Sequence, residues 1–299
     1  PFSTRFLWCC GEEGLALTGP DAWFAAAGAA AWGTCAYEDV RPHMDAPALA
    51  RAEALCPAPA GIYVAAFPYF PGEAPGNLSL YARGEDYHVA VARRLDRVCA
   101  ALRPSHPGRC FAPLVDNSPL PEQLCAAVAG LGRRGRNTLT ILPPWGTWLF
   151  LGAILTDLPL ESAPVPAPAC MDCGKCTAAC PAGALGPNGL DPDRCLSALT
   201  QKKGALTAEE EARLRGHGLV WGCDACQRAC PYNRDVPLSP LPEFRTNLIH
   251  TLGTTDVDHL TRRQFQEKYP LRAFTWRGPG VLLRNLRLKE REGRNGPSV

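Results

Sequence analysis

The pattern of apolar and polar positions in the first half of the chain predicts a mixture of strands and helices. The run Gly-Ile-Tyr-Val-Ala-Ala-Phe at residues 61–67 is apolar throughout and is followed by Pro68, which predicts a buried strand. Apolar residues at three- and four-residue steps predict a helix over residues 87–102. A second helix is predicted over residues 122–129, just before a glycine, and a strand over residues 138–142.

A proline-rich segment divides the chain. Residues 163–169 read Ala-Pro-Val-Pro-Ala-Pro-Ala, and proline at every second position favours an extended, stiff connector. We therefore predict a first domain over residues 1–162, a second over residues 163–245, and a basic C-terminal helical segment over residues 246–299 that packs on both. In that segment, Thr261-Arg-Arg-Gln264 has the spacing of a capping box and predicts the start of a helix.

Neither a membrane span nor a secretory signal is visible in the sequence. The apolar run at residues 148–155 is far shorter than the roughly 20 residues that a membrane helix needs, and it predicts a core segment. Residues 1–10 contain Arg5 and no long apolar stretch. We therefore expect a cytoplasmic protein with no membrane partner.

Charge is uneven along the chain. The formal net charge of +2 does not mark the whole protein as a polyanion binder. Residues 245–294, however, carry eleven Lys and Arg against five Asp and Glu. This excess fits either a solvated surface or a nucleic-acid contact.

The sequence has fifteen cysteines, and eight of them lie between residues 170 and 230. The other seven are scattered through the first 169 residues and are most simply buried, reduced thiols. The clustered cysteines form two runs that both read Cys-x-x-Cys-x-x-x-Cys-Pro, namely Cys173, Cys176, Cys180 and Cys223, Cys226, Cys230. Cys170 precedes the first run and Cys195 lies between the two, so the eight thiols make two sets of four.

Such runs fold short loops around an iron–sulfur cubane, and the cysteine before proline reaches across to the neighbouring cluster. This crossing predicts one 4Fe-4S cluster on Cys170, Cys173, Cys176 and Cys230, and a second on Cys180, Cys195, Cys223 and Cys226. Two tetrahedral zinc sites are the alternative, because zinc also uses Cys-x-x-Cys pairs. A bare electron carrier would need far fewer residues than precede the clusters, so the first domain must receive or use the electrons.

Other features of the first domain carry weaker signals. Residues 130–135 spell G-x-G-x-x-G, but the dinucleotide fingerprint must follow a strand and open a helix. Here a predicted helix leads in and a predicted strand leads out, so we interpret the motif as a glycine-rich turn. Asp116, taken alone, is explained as a turn or helix cap. Asp86 is explained by a helix start, and a lone His88 by a structural role.

Several stretches together resemble the epoxyqueuosine reductase family, in consistent order from about residue 60 to residue 286. Each short piece is weak alone, whereas the combination is specific. Besides the eight cysteines, the stretches are Tyr81-Ala-Arg-Gly-Glu-Asp-Tyr-His88, Val115-Asp-Asn-Ser-Pro-Leu-Pro-Glu122, Ala129-Gly-Leu-Gly-Arg-Arg-Gly-Arg-Asn137, Gly146-Thr-Trp-Leu-Phe-Leu-Gly152, Gly222-Cys-Asp-Ala-Cys-Gln-Arg-Ala-Cys-Pro-Tyr-Asn233 and Leu283-Arg-Asn285.

The resemblance implies an α+β protein in which a mixed α/β cobalamin-binding domain precedes a ferredoxin-like domain with two 4Fe-4S clusters. It implies reduction of epoxyqueuosine to queuosine at the wobble position of tRNA, with single electrons passing from the clusters to cobalamin. An external donor such as a flavodoxin or ferredoxin system would supply the electrons. The tRNA would be bound through its anticodon region.

By the same resemblance, Asp116 stands where the family has its proposed general acid, which would protonate the departing epoxide oxygen. Tyr87 and His88 match a family motif near the active site. The positions expected to contact the cofactor are Arg136, Asn137 and Trp148.

The sequence departs from the family pattern at Gln123, Arg133 and Arg136, where the family commonly has Arg, Trp and Lys. The chain ends soon after Asn285, so we expect a short form without the C-terminal helical repeats of longer members. Arg284 and the basic C-terminal stretch are the expected phosphate contacts. Two other classes remain open: a corrinoid reductive dehalogenase, which shares the architecture, and a non-catalytic iron–sulfur electron-transfer protein.

Overall fold

A computed structural model describes residues 5–6, 18–162, 170–187 and 189–295 of the chain. Its first part is built on a five-stranded antiparallel sheet in the order β1-β2-β3-β7-β4. These strands are β1 (Arg5–Phe6), β2 (Ala31–Ala36), β3 (Gly61–Pro68), β4 (Phe111–Leu114) and β7 (Leu149–Thr156). Two short hairpins are separate from the sheet: β5 (Arg133–Arg134) with β6 (Thr140–Ile141), and β8 (Leu185–Gly186) with β9 (Gly189–Leu190).

The helices are mostly short. Within the described ranges, only α4 and α12 exceed ten residues. The twelve are α1 (Pro20–Ala26), α2 (Tyr37–Val40), α3 (Ala46–Leu55), α4 (Tyr87–Leu102), α5 (Glu122–Val128), α6 (Lys175–Ala178), α7 (Leu196–Thr200), α8 (Ala208–Arg215), α9 (Ala225–Arg228), α10 (Thr254–Val257), α11 (Arg262–Lys268) and α12 (Pro279–Asn295), counted over the described ranges. None of these helices is long and apolar enough to cross a membrane.

The central strands β3 and β7 are apolar because helices cover both faces of the sheet. On one face α4 packs Leu95 and Val98 against Phe67. The opposite face packs against α2, α3 and α5, with Ile62 and Cys125 in a common cluster. A Cβ at Gly152 would lie 2.9 Å from the Leu95 side chain, so glycine lets α4 approach the sheet closely. The strand predicted over residues 61–67 and the helix predicted over residues 87–102 are confirmed.

The glycine-rich motif at residues 130–135 is a helix-to-strand turn, as predicted. Helix α5 leads into it, β5 lies within it and β6 follows it. A Cβ at Gly132 would collide with the backbone oxygen of Ile141, which is why the hairpin needs glycine there. The strand predicted over residues 138–142 shrinks to the two residues of β6, because its only partner is the two-residue strand β5.

The cysteine-rich region is anchored to the first domain through the second cysteine run. The carboxylate of Asp224 is buried and accepts hydrogen bonds from the Ser79 hydroxyl and, at 3.0 Å, from the Leu80 backbone. Burial raises the pKa of Asp224. Gly222 has a φ of 75°, and a Cβ there would collide with Ser79. The proline-rich connector predicted at residues 163–169 lies outside the described residues.

The C-terminal segment shares a hydrophobic core with both other parts of the chain. Phe265 of α11 packs in one cluster with Leu78, Trp221 and Leu282. The capping box predicted at Thr261 is present, because the Gln264 backbone N–H donates to the Thr261 hydroxyl and the Thr261 N–H to the Gln264 side chain. The positions of the domain boundaries stay a prediction.

The scattered cysteines behave largely as expected. Cys35, Cys56, Cys99 and Cys125 are buried, and Cys110 is partly exposed. Burial raises the pKa of Cys99 to about 12, so this thiol stays protonated at neutral pH. Cys9 and Cys10 lie outside the described residues.

Candidate active site and cysteine sites

A cleft of about 780 Å³ lies where the three parts of the chain meet. The first domain contributes Asp116 and Phe150 to its wall, the cysteine-rich region contributes Gln201 and Gln227, and the C-terminal segment contributes Trp276. This volume is within the range of pockets that bind small molecules and cofactors. Because all three parts contribute, a ligand in the cleft would contact each of them.

Three side chains in this cleft form a hydrogen-bonded network around Asp116. The Tyr87 hydroxyl donates to Oδ2 of Asp116 at 2.7 Å. The same oxygen lies 2.9 Å from Nε2 of His88. The other ring nitrogen of His88 lies 2.7 Å from Oδ1 of Asp86, so the imidazole bridges two carboxylates.

The start of α4 and one strained residue bring this network together. Asp86 caps α4 by accepting the backbone N–H of His88, and this places Tyr87 and His88 in the first turn. The Tyr87 ring stacks on Phe150 with centroids 4.3 Å apart and on His88 with centroids 4.0 Å apart. Asp116 has a φ of 54°, a left-handed conformation that aspartate tolerates better than most residues.

The turn-or-cap explanation of Asp116 is wrong. Its carboxylate accepts from Tyr87 and contacts His88, whereas α5 begins after Pro121 without a side-chain cap. The explanation of Asp86 as a helix start is confirmed.

The electrostatics of the network set its protonation at neutral pH. The hydrogen bond with His88 lowers the pKa of Asp116, against the opposing effect of burial, and the bond from Tyr87 lowers it further. Burial alone would lower the pKa of His88, but Asp116 and Asp86 raise it to about 9. Burial and the Asp116 charge raise the pKa of Tyr87. At neutral pH the network is therefore a carboxylate paired with an imidazolium and a neutral phenol.

Glu122 is a further acid of the cleft whose role the sequence did not reveal. Burial and the charge of Asp116 raise its pKa to about 8. Its Oε1 is buried and has no hydrogen-bond partner among the described residues. The carboxyl group is therefore mostly protonated at neutral pH and can donate a proton inside the cleft. The signal was the motif Val115 to Glu122, which contains both acids, but a motif does not report burial.

One set of four cysteines lines a small cavity. Its walls are Cys170, Cys173, Cys176 and Cys230 together with residues of the β5–β6 hairpin. These are the members of the first crossed set. The thiols surround a space, and across the described ranges no three His, Cys, Asp or Glu side chains converge closely enough to hold a single ion.

The remaining clustered thiols lie near one another, and residues close in sequence to two of them line the cleft. Burial raises the pKa of Cys226 to about 12, and the neighbouring Cys223, Cys195 and Cys180 add to the rise. Gln227, directly after Cys226, and Ser197, two residues after Cys195, both line the cleft. The second set is therefore linked to the cleft wall through Gln227 and Ser197, while the first borders the hairpin and includes the exposed Cys173.

The expected cofactor contacts lie elsewhere. Trp148 is 2% exposed and packs in the core against Tyr69 and Phe70. Arg136 pairs with Asp172, and Asn137 lines the cysteine cavity. None of these three expected contacts is among the described residues that line the cleft. As cobalamin contacts they stay predictions.

Arg284, an expected phosphate contact, is occupied in the structure. Its guanidinium donates to the backbone oxygens of Lys202 and Gly204 at 2.8 and 2.9 Å. It also donates to the side chain of Asn285. These bonds tie α12 to the loop after α7, which is a structural role.

Two family models match the chain. Residues 169–233 match a 4Fe-4S double cluster binding domain. Residues 50–117 match a model described as epoxyqueuosine reductase QueG, and this range includes Tyr87, His88 and Asp116. Together with the fold, the matches define the class: an α+β protein with a 4Fe-4S double cluster binding domain.

Within that class, the chain is related to the epoxyqueuosine reductases. It is 36% identical over 210 residues to the enzyme of that name from Listeria monocytogenes, covering 68% of this chain and 53% of the relative. It is 37% identical over 171 residues to that of Vibrio cholerae, covering 56% and 45%. The chain thus spans about half the length of these curated relatives. The family resemblance is confirmed.

Solved structures share the fold. The epoxyqueuosine reductase from Streptococcus thermophilus superposes with a TM-score of 0.77 at 24% identity, covering 93% of this chain and 81% of that one. A second epoxyqueuosine reductase, solved with an epoxyqueuosine-modified tRNA-Tyr stem loop, gives a TM-score of 0.79 at 24% identity with the same coverages. The predicted α+β class is confirmed.

Proposed function

We propose that this chain reduces epoxyqueuosine to queuosine at the wobble position of tRNA, with electrons passing from two 4Fe-4S clusters to cobalamin. The relatives carry that name, and one similar structure holds an epoxyqueuosine-modified stem loop. Since the chain spans about half the length of the curated relatives, their activity is transferred to it as a proposal.

One observation carries the proposal. Asp116 and Gln227, the residue after Cys226, line the same cleft. A carboxylate that can take up a proton from His88 and a residue next to a cysteine of the second set therefore line the same space. Deoxygenation of an epoxide needs a proton donor and an electron source, because the oxygen leaves as water and the reaction consumes two electrons and two protons.

Aromatic and polar side chains of the cleft would hold the cofactor. The rings of Phe150 and Trp276 and the polar side chains of Thr147 and Gln201 line the space that would hold cobalamin. When bound, cobalamin supplies a reduced cobalt centre that accepts single electrons and attacks or reduces the substrate. The eight thiols of the two crossed sets are the donors that iron–sulfur clusters require.

In this proposal Asp116 protonates the departing oxygen. It is ionised before substrate binds, so it must first gain a proton, and the His88 imidazolium, 2.9 Å away, is the cationic donor that contacts it. Substrate that excludes water from the cleft would raise the carboxyl pKa and drive this transfer. Tyr87 keeps the carboxylate oriented, and Glu122 holds a further proton nearby.

The three parts of the chain divide the work. Residues 1–162 would bind cobalamin and carry Asp116, residues 163–245 would hold the clusters, and residues 246–299 would close the cleft with Trp276. A flavodoxin or ferredoxin system is the proposed electron donor, and the cytoplasm the proposed location. The tRNA would enter by its anticodon loop, so that the modified base reaches the cleft.

The test is a turnover experiment on the anaerobically reconstituted full chain. The protein is incubated with epoxyqueuosine-containing tRNA, cobalamin and a strong reductant, and the nucleosides are then quantified. Conversion to queuosine supports the proposal, and unchanged epoxyqueuosine in the presence of full iron and cobalamin overturns it. Reduction of a halophenol would point to a dehalogenase. Protein that holds the clusters but does not bind cobalamin would point to an electron-transfer protein.

A further inference from the structure

A buried amide in the β5–β6 turn has an unused donor. Asn137 is 5% exposed, and its Nδ2 has no hydrogen-bond partner among the described residues. Its Oδ1 is in use, because the Leu139 backbone N–H donates to it at 3.4 Å. That contact fixes which end of the amide is oxygen, so the unpaired group is the donor. Leaving a buried donor unpaired is costly, and such groups ordinarily have an acceptor.

The contacts around Asn137 hold it against the first cysteine set. It lines the same cavity as Cys170, Cys173, Cys176 and Cys230. On one side, Nε of Arg136 lies 2.7 Å from Oδ1 of Asp172, which ties the turn to the cysteine loop. On the other side, a Cβ at Gly135 would lie 2.7 Å from Oδ1 of Asn137, so only glycine permits this close packing.

We propose that Asn137 donates an N–H···S hydrogen bond to the iron–sulfur cluster enclosed by these four cysteines and thereby raises its reduction potential. The inference rests on the iron–sulfur assignment of the proposed function. A cluster gains negative charge on its sulfurs when it is reduced, so a hydrogen-bond donor favours the reduced form. Asn137 acts through the cluster and touches no substrate, which makes it a positioning residue.

The first cysteine set lies close to the protein surface, where an external electron donor could approach. Cys173 is exposed, and the side chain of the adjacent Met171 is also open to solvent. The other cysteine set is next in sequence to two residues of the cleft wall, Ser197 and Gln227. Electrons from an external donor would therefore arrive at the first cluster, and Asn137 would set how readily that cluster accepts them.

The test is an EPR-monitored redox titration of the anaerobically reconstituted full chain and its Asn137→Leu and Asn137→Asp variants. Leucine has a similar size but no hydrogen-bond donor. We therefore expect the equilibrium constant for reduction of the first cluster to fall about tenfold, which lowers its one-electron reduction potential by about 59 mV. Aspartate keeps the shape but replaces the donor by a negative charge, so its potential should fall further. Asn137→Ser retains a hydroxyl donor and should recover part of the loss.

The second cluster is the internal control, and its potential should not move. Gln266→Leu, an exposed amide on α11, is the matched control for surface effects. Unchanged potentials in both Asn137→Leu and Asn137→Asp with full iron would overturn the inference and leave the proposed function standing. Wild-type protein that binds no iron during reconstitution would overturn the proposed function itself. A loss of cobalamin affinity at unchanged potentials would assign Asn137 to that cofactor and also overturn the inference.

Discussion

Thr147 and Asn233 join the first domain to the cysteine-rich region through two direct hydrogen bonds. The Thr147 backbone N–H donates to Oδ1 of Asn233 at 2.7 Å, and Nδ2 of Asn233 donates to the Thr147 hydroxyl at 2.8 Å. The Asn233 amide also donates to the backbone oxygen of Gln227. A Cβ at Gly146 would collide with the Asn233 side chain. Two motifs far apart in the sequence therefore form one contact beside the cleft.

Asn233→Ala should destabilise the protein because it leaves the Thr147 N–H without its acceptor. An unsatisfied, poorly solvated donor costs about 1–3 kcal/mol. Anaerobic urea unfolding of the reconstituted protein measures the free energy of unfolding. Gln266→Ala, an exposed amide truncation, should change it by less than about 0.5 kcal/mol. Equal stabilities for the two variants would show that the contact contributes nothing.

Asp116→Asn should lower queuosine formation by about 10²- to 10⁴-fold, the usual contribution of a general acid. The amide keeps the shape of the side chain but cannot protonate the oxygen. Iron content and cobalamin binding should match those of the wild type. Asp96→Asn, on the exposed side of α4, is the matched control and should react normally. Normal turnover of Asp116→Asn would exclude Asp116 as the acid.

The imidazolium of the network should lose its proton as the pH rises above about 9. His88 has its pKa raised to about 9, so it is protonated below that pH and loses its proton as the pH rises through it. Single-turnover rates should therefore fall above about pH 9. In the His88→Gln variant this decrease at high pH should be absent from the pH–rate profile. NMR titration of the imidazole gives an independent value, with His259, 93% exposed, as the control. A His88 that titrates near its ordinary value of about 6.5 contradicts this assignment.

The crossed cysteine sets can be tested by combining substitutions. Cys230→Ser should lower the iron content from about eight to about four atoms per chain. Adding Cys170→Ser should cost no further iron, because both thiols belong to one cluster. Adding Cys223→Ser should remove the second cluster as well. The opposite result would place Cys230 with Cys223, and zinc in place of iron would rule out both clusters. Cys110→Ser should retain all its iron.

Features that depend on residues close together in the sequence could be predicted from the sequence. The capped start of α4 places Tyr87 and His88 together, and the cysteine spacing predicted the two sets without any structure. Long-range burial was not predictable from the sequence. The raised pKa of Glu122 depends on packing against Asp116, and the placement of Asn137 depends on how the hairpin meets the cysteine loop. Trp148, expected at the cofactor, is instead buried in the core, where its ring packs against Tyr69 and Phe70.

The cavity of the first cysteine set has a consequence for how the protein is made. Cys176 and Cys230 line the same space, although a long stretch of chain separates them. While the ribosome is still synthesising that stretch, Cys170, Cys173 and Cys176 have been made but Cys230, which completes the set, has not. A metal cofactor can be enclosed only after Cys230 has emerged, so maturation must wait until translation has passed that residue. Until then the nascent chain depends on a reducing environment, or on an assembly factor, to keep its early thiols from oxidising.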